Sequence, residues 1–256
     1  MQEICKGGFT MAGSVLSRRE LLSLCGTTGA SMLIGSVMSS GESLIPAERA
    51  VDHLLLGAAD LESAMVWFER KAGVKAEAGG SHPGVGTRNA LISLGRRQYL
   101  EIIAPDPRQT TFSFQIDVRK LSEPRLITWA AATTNIDAIA QKAREAGHQI
   151  FGPRDGSRAR PDGRVLHWKT LGVVNKFGLE GVEPIPFFIQ WASDSLHPSE
   201  DSPKGCELQS FEIGHPEPAN VTATLRGLGI QATVKPSAKV TLTAALKTPK
   251  GRVELS

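Results

Sequence analysis

Cysteine and long hydrophobic runs are both scarce in this chain, and each absence excludes a class of protein. Three cysteines are spread over 256 residues without a CxxC pair, so neither a disulfide framework nor a zinc ribbon is expected. Cys206 lies alone in the body of the chain and fits a small core position. Because no apolar run is a convincing membrane span, we do not expect an integral membrane protein.

A strong charge of one sign and the common nucleotide or hydrolase motifs are also lacking. The formal net charge is +3, and no basic run is interleaved with aromatic residues, so nucleic-acid binding is not expected. The chain has no P-loop, no GxGxxG and no Gly-x-Ser-x-Gly elbow, which leaves nucleotide-dependent and serine-hydrolase chemistry without a basis. The composition, 41% hydrophobic and 21% charged, is that of an ordinary globular protein. A small molecule is the expected partner.

The first 47 residues resemble an export signal. The run from Ser17 to Leu22 (SRRELL) is similar to the twin-arginine motif, and an uncharged, moderately apolar stretch follows it up to Met38. The alternative is a disordered tail with a chance Arg-Arg pair. We therefore expect export to the periplasm by the twin-arginine route, with a cytoplasmic location as the alternative.

The body of the chain repeats one pattern of apolar residues three times. In each copy a strand-like run is followed by apolar residues at helical spacing, then by a glycine that ends the helix, then by further strand-like runs. The stopping glycines are Gly73, Gly147 and Gly229. Each copy therefore reads βαβββ, and antiparallel strands with a helix on one face give an α+β fold. Two such units are expected to pair into a cupped antiparallel sheet around a cavity.

This pattern predicts four segments. Residues 1–47 form the signal or tail, and residues 48–192 form the principal domain of two βαβββ units. Residues 193–205 form a linker, and residues 206–256 form a third, βαβββ-like unit packed on the domain. A homodimer, in which the third unit completes the site of another chain, is a further alternative.

Motifs in the first two units carry a family resemblance. Val-Asp-His opens the first strand, and the other motifs are GSHPGVGTRNAL at 80–91, YLEIIAPDP at 99–107, PFFIQW at 186–191 and His-Pro at 197–198. Together they resemble the vicinal-oxygen-chelate superfamily and, within it, the bacterial glyoxalase-like domain proteins, over about residues 50–256. The resemblance implies the fold. It leaves the reaction open, because this superfamily hosts isomerases, epimerases, dioxygenases, thiol transferases and non-catalytic drug-binding proteins.

His53 and Glu101 are the candidate functional pair. Strand alternation sets each of them among apolar side chains, and a buried carboxylate needs a cation, a proton or a metal beside it. In the family, the matching histidine and glutamate are metal ligands, and the partner unit completes the site. At the equivalent positions, the second unit offers Gln190, and either Thr128 or Trp129 stands in place of the histidine. The resemblance thus implies Fe, Mn, Ni or Zn at His53, Glu101 and Gln190. The alternative is a metal-free, hydrogen-bonded pair.

Further polar and aromatic residues are candidates for proton transfer and ligand contact. His82, in a glycine-rich loop, is the candidate acid/base beside Glu101, with a plain turn as the alternative. The predicted substrate-binding residues are Arg88, Asn89, Tyr99, Trp129 and Trp191. His197 and His215 precede prolines, where capping or solvent-facing roles are expected. The arginines at 154, 158, 160 and 164 are expected to be solvated or to line the cavity mouth.

Two functions follow from these candidates. One is a metal-dependent lyase, isomerase or dioxygenase that acts on a small oxygen-rich or aromatic molecule. The other is a metal-free binding or sequestering protein that uses the same cavity, and the missing second histidine favours it.

Overall fold

The structure, a computed structural model, describes residues 43–160 and 162–256. The strands are β1 (Ile45–Pro46), β2 (Val51–Gly57), β3 (Glu77–His82), β4 (Thr87–Gly95), β5 (Gln98–Pro105), β6 (Arg125–Ala132), β7 (Ile150–Ala159), β8 (Val165–Val173), β9 (Phe187–Trp191), β10 (Glu207–His215), β11 (Ile230–Gln231), β12 (Thr233–Pro236), β13 (Thr241–Thr248) and β14 (Gly251–Leu255). The helices are α1 (Ala47–Ala50), α2 (Leu61–Ala72), α3 (Ile136–Glu145), α4 (Pro198–Asp201) and α5 (Pro218–Gly227), with a 3-10 turn at Val118–Lys120. No helix in these ranges is long and apolar enough to cross a membrane. The predicted twin-arginine segment lies outside the described residues.

Eight strands form one curled sheet in the order β3-β4-β5-β2-β6-β9-β8-β7. In each half the first strand pairs in parallel with the last, β2 with β5 and β6 with β9. The antiparallel pair of β2 and β6 joins the halves at the centre. The curl brings the two edge strands, β3 and β7, beside each other. The predicted α+β fold of paired βαβββ units is confirmed, with mixed rather than purely antiparallel pairing.

Capping residues and glycines set the ends of the helices. The Asp60 carboxylate accepts a hydrogen bond from the backbone N–H of Ser63 at the start of α2, and Asn135 caps α3 in the same way. The predicted stopping glycines Gly73, Gly147 and Gly229 have φ of 78°, 81° and 86°. This left-handed conformation suits glycine and ends a helix, so these three predictions are confirmed.

The C-terminal unit follows the βαβββ order with one additional short strand, β11, which pairs with β1, and its strands are arranged in a different order. Its sheet reads β12-β10-β13-β14, so its first strand lies between the second and third strands instead of beside the last. Its apolar face joins the helix side of the large sheet, where Phe211 packs on Trp129 with ring centroids 5.0 Å apart. One continuous core therefore connects the large sheet, its helices and the C-terminal unit.

Strand alternation divides β2 between the two faces of the large sheet. Leu54 and Leu56 point into the main core under the helices, whereas Leu55 joins a smaller cluster with Ile103 and Ile127 on the concave face. His53 lies on the same concave face as Leu55. The concave face is where the candidate functional pair is located.

Candidate functional site

Four strands bring polar side chains together on the concave face. His53 of β2 is the register partner of Tyr99 on β5, so Glu101, two residues further along β5, lies on the same face. On the other side of β5, Leu91 of β4 is paired with Glu101, which puts Asn89 within reach of it. His82 enters from β3, paired with the first residue of β4. The sequence-predicted His53, His82, Asn89 and Glu101 are therefore brought together.

Glu101 is the centre of this cluster. The Nε2 atom of His53 lies 3.5 Å from its Oε2, and the Nε2 atom of His82 lies 3.7 Å from its Oε1. The Asn89 amide donates a hydrogen bond of 2.6 Å to Oε1. The exposed fraction of the side chain is 3% for His53, 9% for Glu101 and 20% for His82. A small molecule therefore reaches the carboxylate most directly past His82.

Both imidazoles turn their Nε2 atoms towards the carboxylate because their Nδ1 atoms are engaged elsewhere. Nδ1 of His53 lies 2.8 Å from Asp52 Oδ1, and Nδ1 of His82 lies 2.8 Å from Thr87 Oγ1. An ionised carboxylate only accepts hydrogen bonds. The contact with Asp52 therefore assigns the proton of the neutral His53 ring to Nδ1. The lone pair on Nε2 then faces Glu101, an arrangement that favours a proton or a cation between them.

A β-bulge explains how Asp52 reaches the ring of its neighbour. Val51 and His53 pair with the adjacent residues Ala131 and Ala130, so Asp52 is the extra residue on β2. Its carboxylate accepts hydrogen bonds from Trp191 Nε1 at 3.1 Å and from His197 Nε2 at 3.2 Å. Three donors therefore converge on one buried carboxylate.

Arg158 closes the cluster from β7, across the gap between the two sheet edges. Its Nη1 donates to Asn89 Oδ1 at 2.7 Å, which orients the amide so that its nitrogen faces Glu101. Space for this contact depends on Gly79 of β3. A Cβ there would lie 2.3 Å from Asn89 Oδ1 and 2.7 Å from Arg158 Nη1. The glycine thus keeps clear the path by which Arg158 reaches Asn89.

Burial and neighbouring charges shift the pKa values of Glu101 and His82. Burial opposes ionisation of Glu101, but His82, His53, the Asn89 hydrogen bond and Arg158 together hold its pKa below the ordinary value. Burial lowers the pKa of His82, with Arg158 and His53 adding to the effect and Glu101 opposing it. At neutral pH the cluster therefore holds an ionised carboxylate beside a neutral imidazole.

The pKa values of Asp52 and Tyr99 are shifted as well. Burial opposes ionisation of Asp52, yet hydrogen bonds from His197 and His53 bring its pKa below the ordinary value. Burial raises the pKa of Tyr99 well above 10, so its phenol stays protonated. The Tyr99 ring stacks on His53 with centroids 4.5 Å apart, which fixes the plane of the imidazole.

Three sequence-predicted residues lie apart from Glu101. Arg88 makes a bidentate salt bridge with Glu62 of α2, in which its Nη1 and Nη2 atoms lie 2.6 and 2.7 Å from the two carboxylate oxygens. Gln190 Oε1 accepts a hydrogen bond of 2.8 Å from the backbone N–H of Ile136, at the start of α3. Trp129 is fully buried in the core under the helices. Trp191 does reach the cluster, through its contact with Asp52.

Sequence reasoning missed three members of the cluster. Asp52 carried a signal, since it adjoins His53 in a buried strand. His197 caps α4 as expected, but it is 1% exposed and bonded to Asp52 rather than facing solvent. Arg158 is 6% exposed, unlike a solvated loop arginine, and no local feature of the sequence indicates this.

The donor types at Glu101 fit a divalent metal, because two imidazole nitrogens and a carboxylate suit Fe, Mn, Ni or Zn. Within residues 43–160 and 162–256, however, no three His, Cys, Asp or Glu side chains are spaced as a ready metal-binding group. The side chains are held by hydrogen bonds to Asp52, Thr87 and Asn89.

The chain is similar to one family model and to several solved structures. The family model described as a glyoxalase-like domain matches residues 51–229. A hypothetical protein from Staphylococcus aureus is 17% identical, with 80% of this chain and 83% of that chain covered and a TM-score of 0.57. Methylmalonyl-CoA epimerase from Mycobacterium tuberculosis is 19% identical over 56% of this chain and 88% of that chain, with a TM-score of 0.39. The Streptomyces coelicolor epimerase with 2-nitronate-propionyl-CoA is 18% identical over 59% and 100%, with a TM-score of 0.42. No curated protein matches the chain in sequence.

Proposed function

Because this chain belongs to the glyoxalase-like domain family, we propose that it is a lyase or isomerase that moves a proton on a small oxygen-rich or aromatic molecule. The observation that carries the proposal is the pairing of an ionised, buried Glu101 with a neutral His82 whose ring is partly open to solvent. Acid–base chemistry needs such a pair of groups with different charge states at one pH.

Each group has a role that follows from its contacts. His82 Nε2 accepts the proton from the bound molecule, and Glu101, 3.7 Å away, stabilises the imidazolium that forms. Asn89 and Arg158 hold the carboxylate in place through hydrogen bonds of 2.6 and 2.7 Å. His53, stacked on Tyr99, forms the closed side of the cluster.

We also propose that His53 and Glu101 hold a divalent ion, one of Fe, Mn, Ni or Zn. Their donor atoms lie 3.5 Å apart, and the hydrogen bond from His53 to Asp52 is the kind of contact that orients metal-bound histidines. When bound, such an ion polarises an oxygen of the substrate and makes the neighbouring proton more acidic. Gln190 has no part in this set, since its oxygen is engaged at α3.

Hydrogen–deuterium exchange tests the proton-transfer role directly. Small 2-oxo acids, 2-hydroxy acids and hydroxyaromatics are incubated with the full chain in D2O, and loss of C–H signals is followed by NMR. We expect exchange with at least one class, and a loss on the order of 100-fold in His82→Ala and Glu101→Gln. Glu62→Gln, an exposed carboxylate paired with Arg88, is the matched control and should retain the exchange rate. Exchange that survives in His82→Ala would refute the assignment.

Metal content is measured separately. Elemental analysis of untagged protein and calorimetric titration with each ion should give binding that Glu101→Gln weakens and Glu62→Gln does not. Iron in the protein together with oxygen uptake would point to a dioxygenase instead of a lyase or isomerase.

A metal-free binding protein is the second candidate. It is favoured because, among the described residues, no three His, Cys, Asp or Glu side chains are spaced to hold a metal ion. It predicts a retained organic ligand in native mass spectrometry, no exchange with any compound, and ligand binding that persists in His82→Ala.

A further inference from the structure

A cavity of about 750 Å³ lies beside the Glu101 cluster, and its lining shares Asp52, Trp191 and His197 with the cluster but includes neither Glu101 nor His82. It lies between α3, the end of β9 and the C-terminal unit, on the helix-bearing side of the sheet and at its rim. Its apolar wall includes Ile139, Phe188, Leu228 and Ile230, and Trp191 also lines it. Its volume is in the range of sites for small organic ligands.

Most of the charged residues around this cavity are basic. The basic residues that line it are Arg49, Arg96, Arg97 and Lys142. Asp52 is the single acidic residue in the lining, and its carboxylate is fully engaged by Trp191, His197 and His53. Arg97 pairs with Glu200 at 2.9 Å. In the described part of the chain, no hydrogen bond or ion pair engages the side chains of Arg49 and Arg96.

The turn that carries two of these arginines has an unusual composition. Arg96 and Arg97 form the two-residue connection between β4 and β5, with φ of 50° and 58°. Such a turn favours Asn-Gly, because a side chain in the left-handed region meets its own backbone. A pair of arginines in this conformation at the mouth of a cavity fits a functional role better than a stabilising one.

We propose that this cavity binds a small organic anion with an apolar body. The anionic group, a carboxylate or a sulfonate, lies between Arg49 and Arg96, since guanidinium groups pair well with such oxygens. The aromatic or short aliphatic body lies along Ile139 and Leu228. The lining of this site includes neither Glu101 nor His82, so binding there does not depend on the proton-transfer role of His82.

Calorimetry with a matched pair of probes tests the site on the full chain. The probes are 2-naphthoate and its neutral analogue 2-naphthalenemethanol. We expect 2-naphthoate to bind at least about 10-fold more tightly, as one charge-assisted contact implies. The double variant Arg49→Gln/Arg96→Gln should abolish that preference and leave the affinity for the neutral probe unchanged. Ile139→Trp, which fills the cavity, should weaken both probes alike.

Two controls locate the binding. Arg252→Gln removes an exposed arginine of β14, outside the cavity, and should change nothing. His82→Ala should also leave the affinity for 2-naphthoate unchanged, which separates this site from the Glu101 cluster. Circular dichroism confirms that each variant is folded.

The outcomes that overturn the proposal are specific. It fails if millimolar 2-naphthoate does not bind, or if both probes bind equally well. It also fails if the double arginine variant keeps the preference, or if Arg252→Gln reduces it as much. A loss of binding in His82→Ala places the probe at the Glu101 cluster and refutes the separate site.

Discussion

Replacing Gly79 with alanine tests whether Arg158 and Asn89 hold Glu101 in the way described. The new Cβ would lie 2.3 Å from Asn89 Oδ1 and 2.7 Å from Arg158 Nη1, distances at which one of the two groups must move. Asn89 also donates to Glu101, so its displacement breaks the support of the carboxylate. The mutation therefore acts on the cluster without removing any functional group.

The expected cost follows from two overlapping effects. Overpacking of a tight site costs about 1–3 kcal/mol, and loss of a hydrogen bond from a charged donor costs about 1.5–3 kcal/mol. We expect a net loss of roughly 3 kcal/mol, because relief of the clash and loss of the bond are partly the same event. For a chain of this size the melting temperature should fall by roughly 6–12 °C.

The pH dependence of this loss has a definite sign. The pKa of Glu101 is held below its ordinary value of 4.5, so its contribution to stability is present above that pH and is lost as the pH falls through the folded-state value. Displacing Asn89 raises this pKa. The difference between Gly79→Ala and the wild-type protein should therefore be largest near neutral pH and should narrow in acid.

Gly172→Ala is the matched control for these melting measurements. Gly172 also lies in a strand, and the nearest atom to its added Cβ would be Phe151 Cβ at 3.6 Å, an ordinary contact. Its effect should stay within about 0.5 kcal/mol. Equal melting temperatures for the two variants would refute the packing of Arg158 on Asn89.

Other perturbations address single contacts. Because burial lowers its pKa, His82 should titrate below its ordinary value of 6.5. Arg158→Gln should raise that midpoint in an NMR titration, and an unchanged midpoint would contradict the electrostatic effect of Arg158 on His82. Gln190→Ala removes an acceptor at the start of α3 and should cost about 1 kcal/mol, with no change in metal affinity; weaker metal binding would restore Gln190 as a ligand. Replacing Arg18 and Arg19 with lysines should leave the protein in the cytoplasm on cell fractionation, and unimpaired export would exclude the twin-arginine route.

The sequence alone predicts much of the large sheet. Apolar periodicity and the stopping glycines indicate two βαβββ units, and strand alternation sets Tyr99 and Glu101 on one face. These signals are reliable because they depend on contacts between residues close in the chain. The family resemblance adds His82 and Asn89 to the same region, and the structure brings both to Glu101.

For the second unit, it is harder to predict from the sequence which side chains lie on the concave face of the sheet. Gln190 and Trp129 come from strands whose alternation is visible in the sequence, but alternation does not say which face is concave. Strand pairing decides this, since Trp129 is the partner of Leu54 and therefore lies under the helices. Gln190 lies on that side as well, where the first turn of α3 needs an acceptor.

By itself the sequence determined the order of the elements, the ends of the helices and the residues that share a strand face. Only the tertiary structure decided which polar groups from distant segments join the pair of His53 and Glu101. Asp52 and His197 are 145 residues apart, and Asn89 and Arg158 are 69 apart. A bulge in β2 and the curl of the sheet bring them together. Such contacts depend on how whole units pack, and no local pattern of residues encodes them.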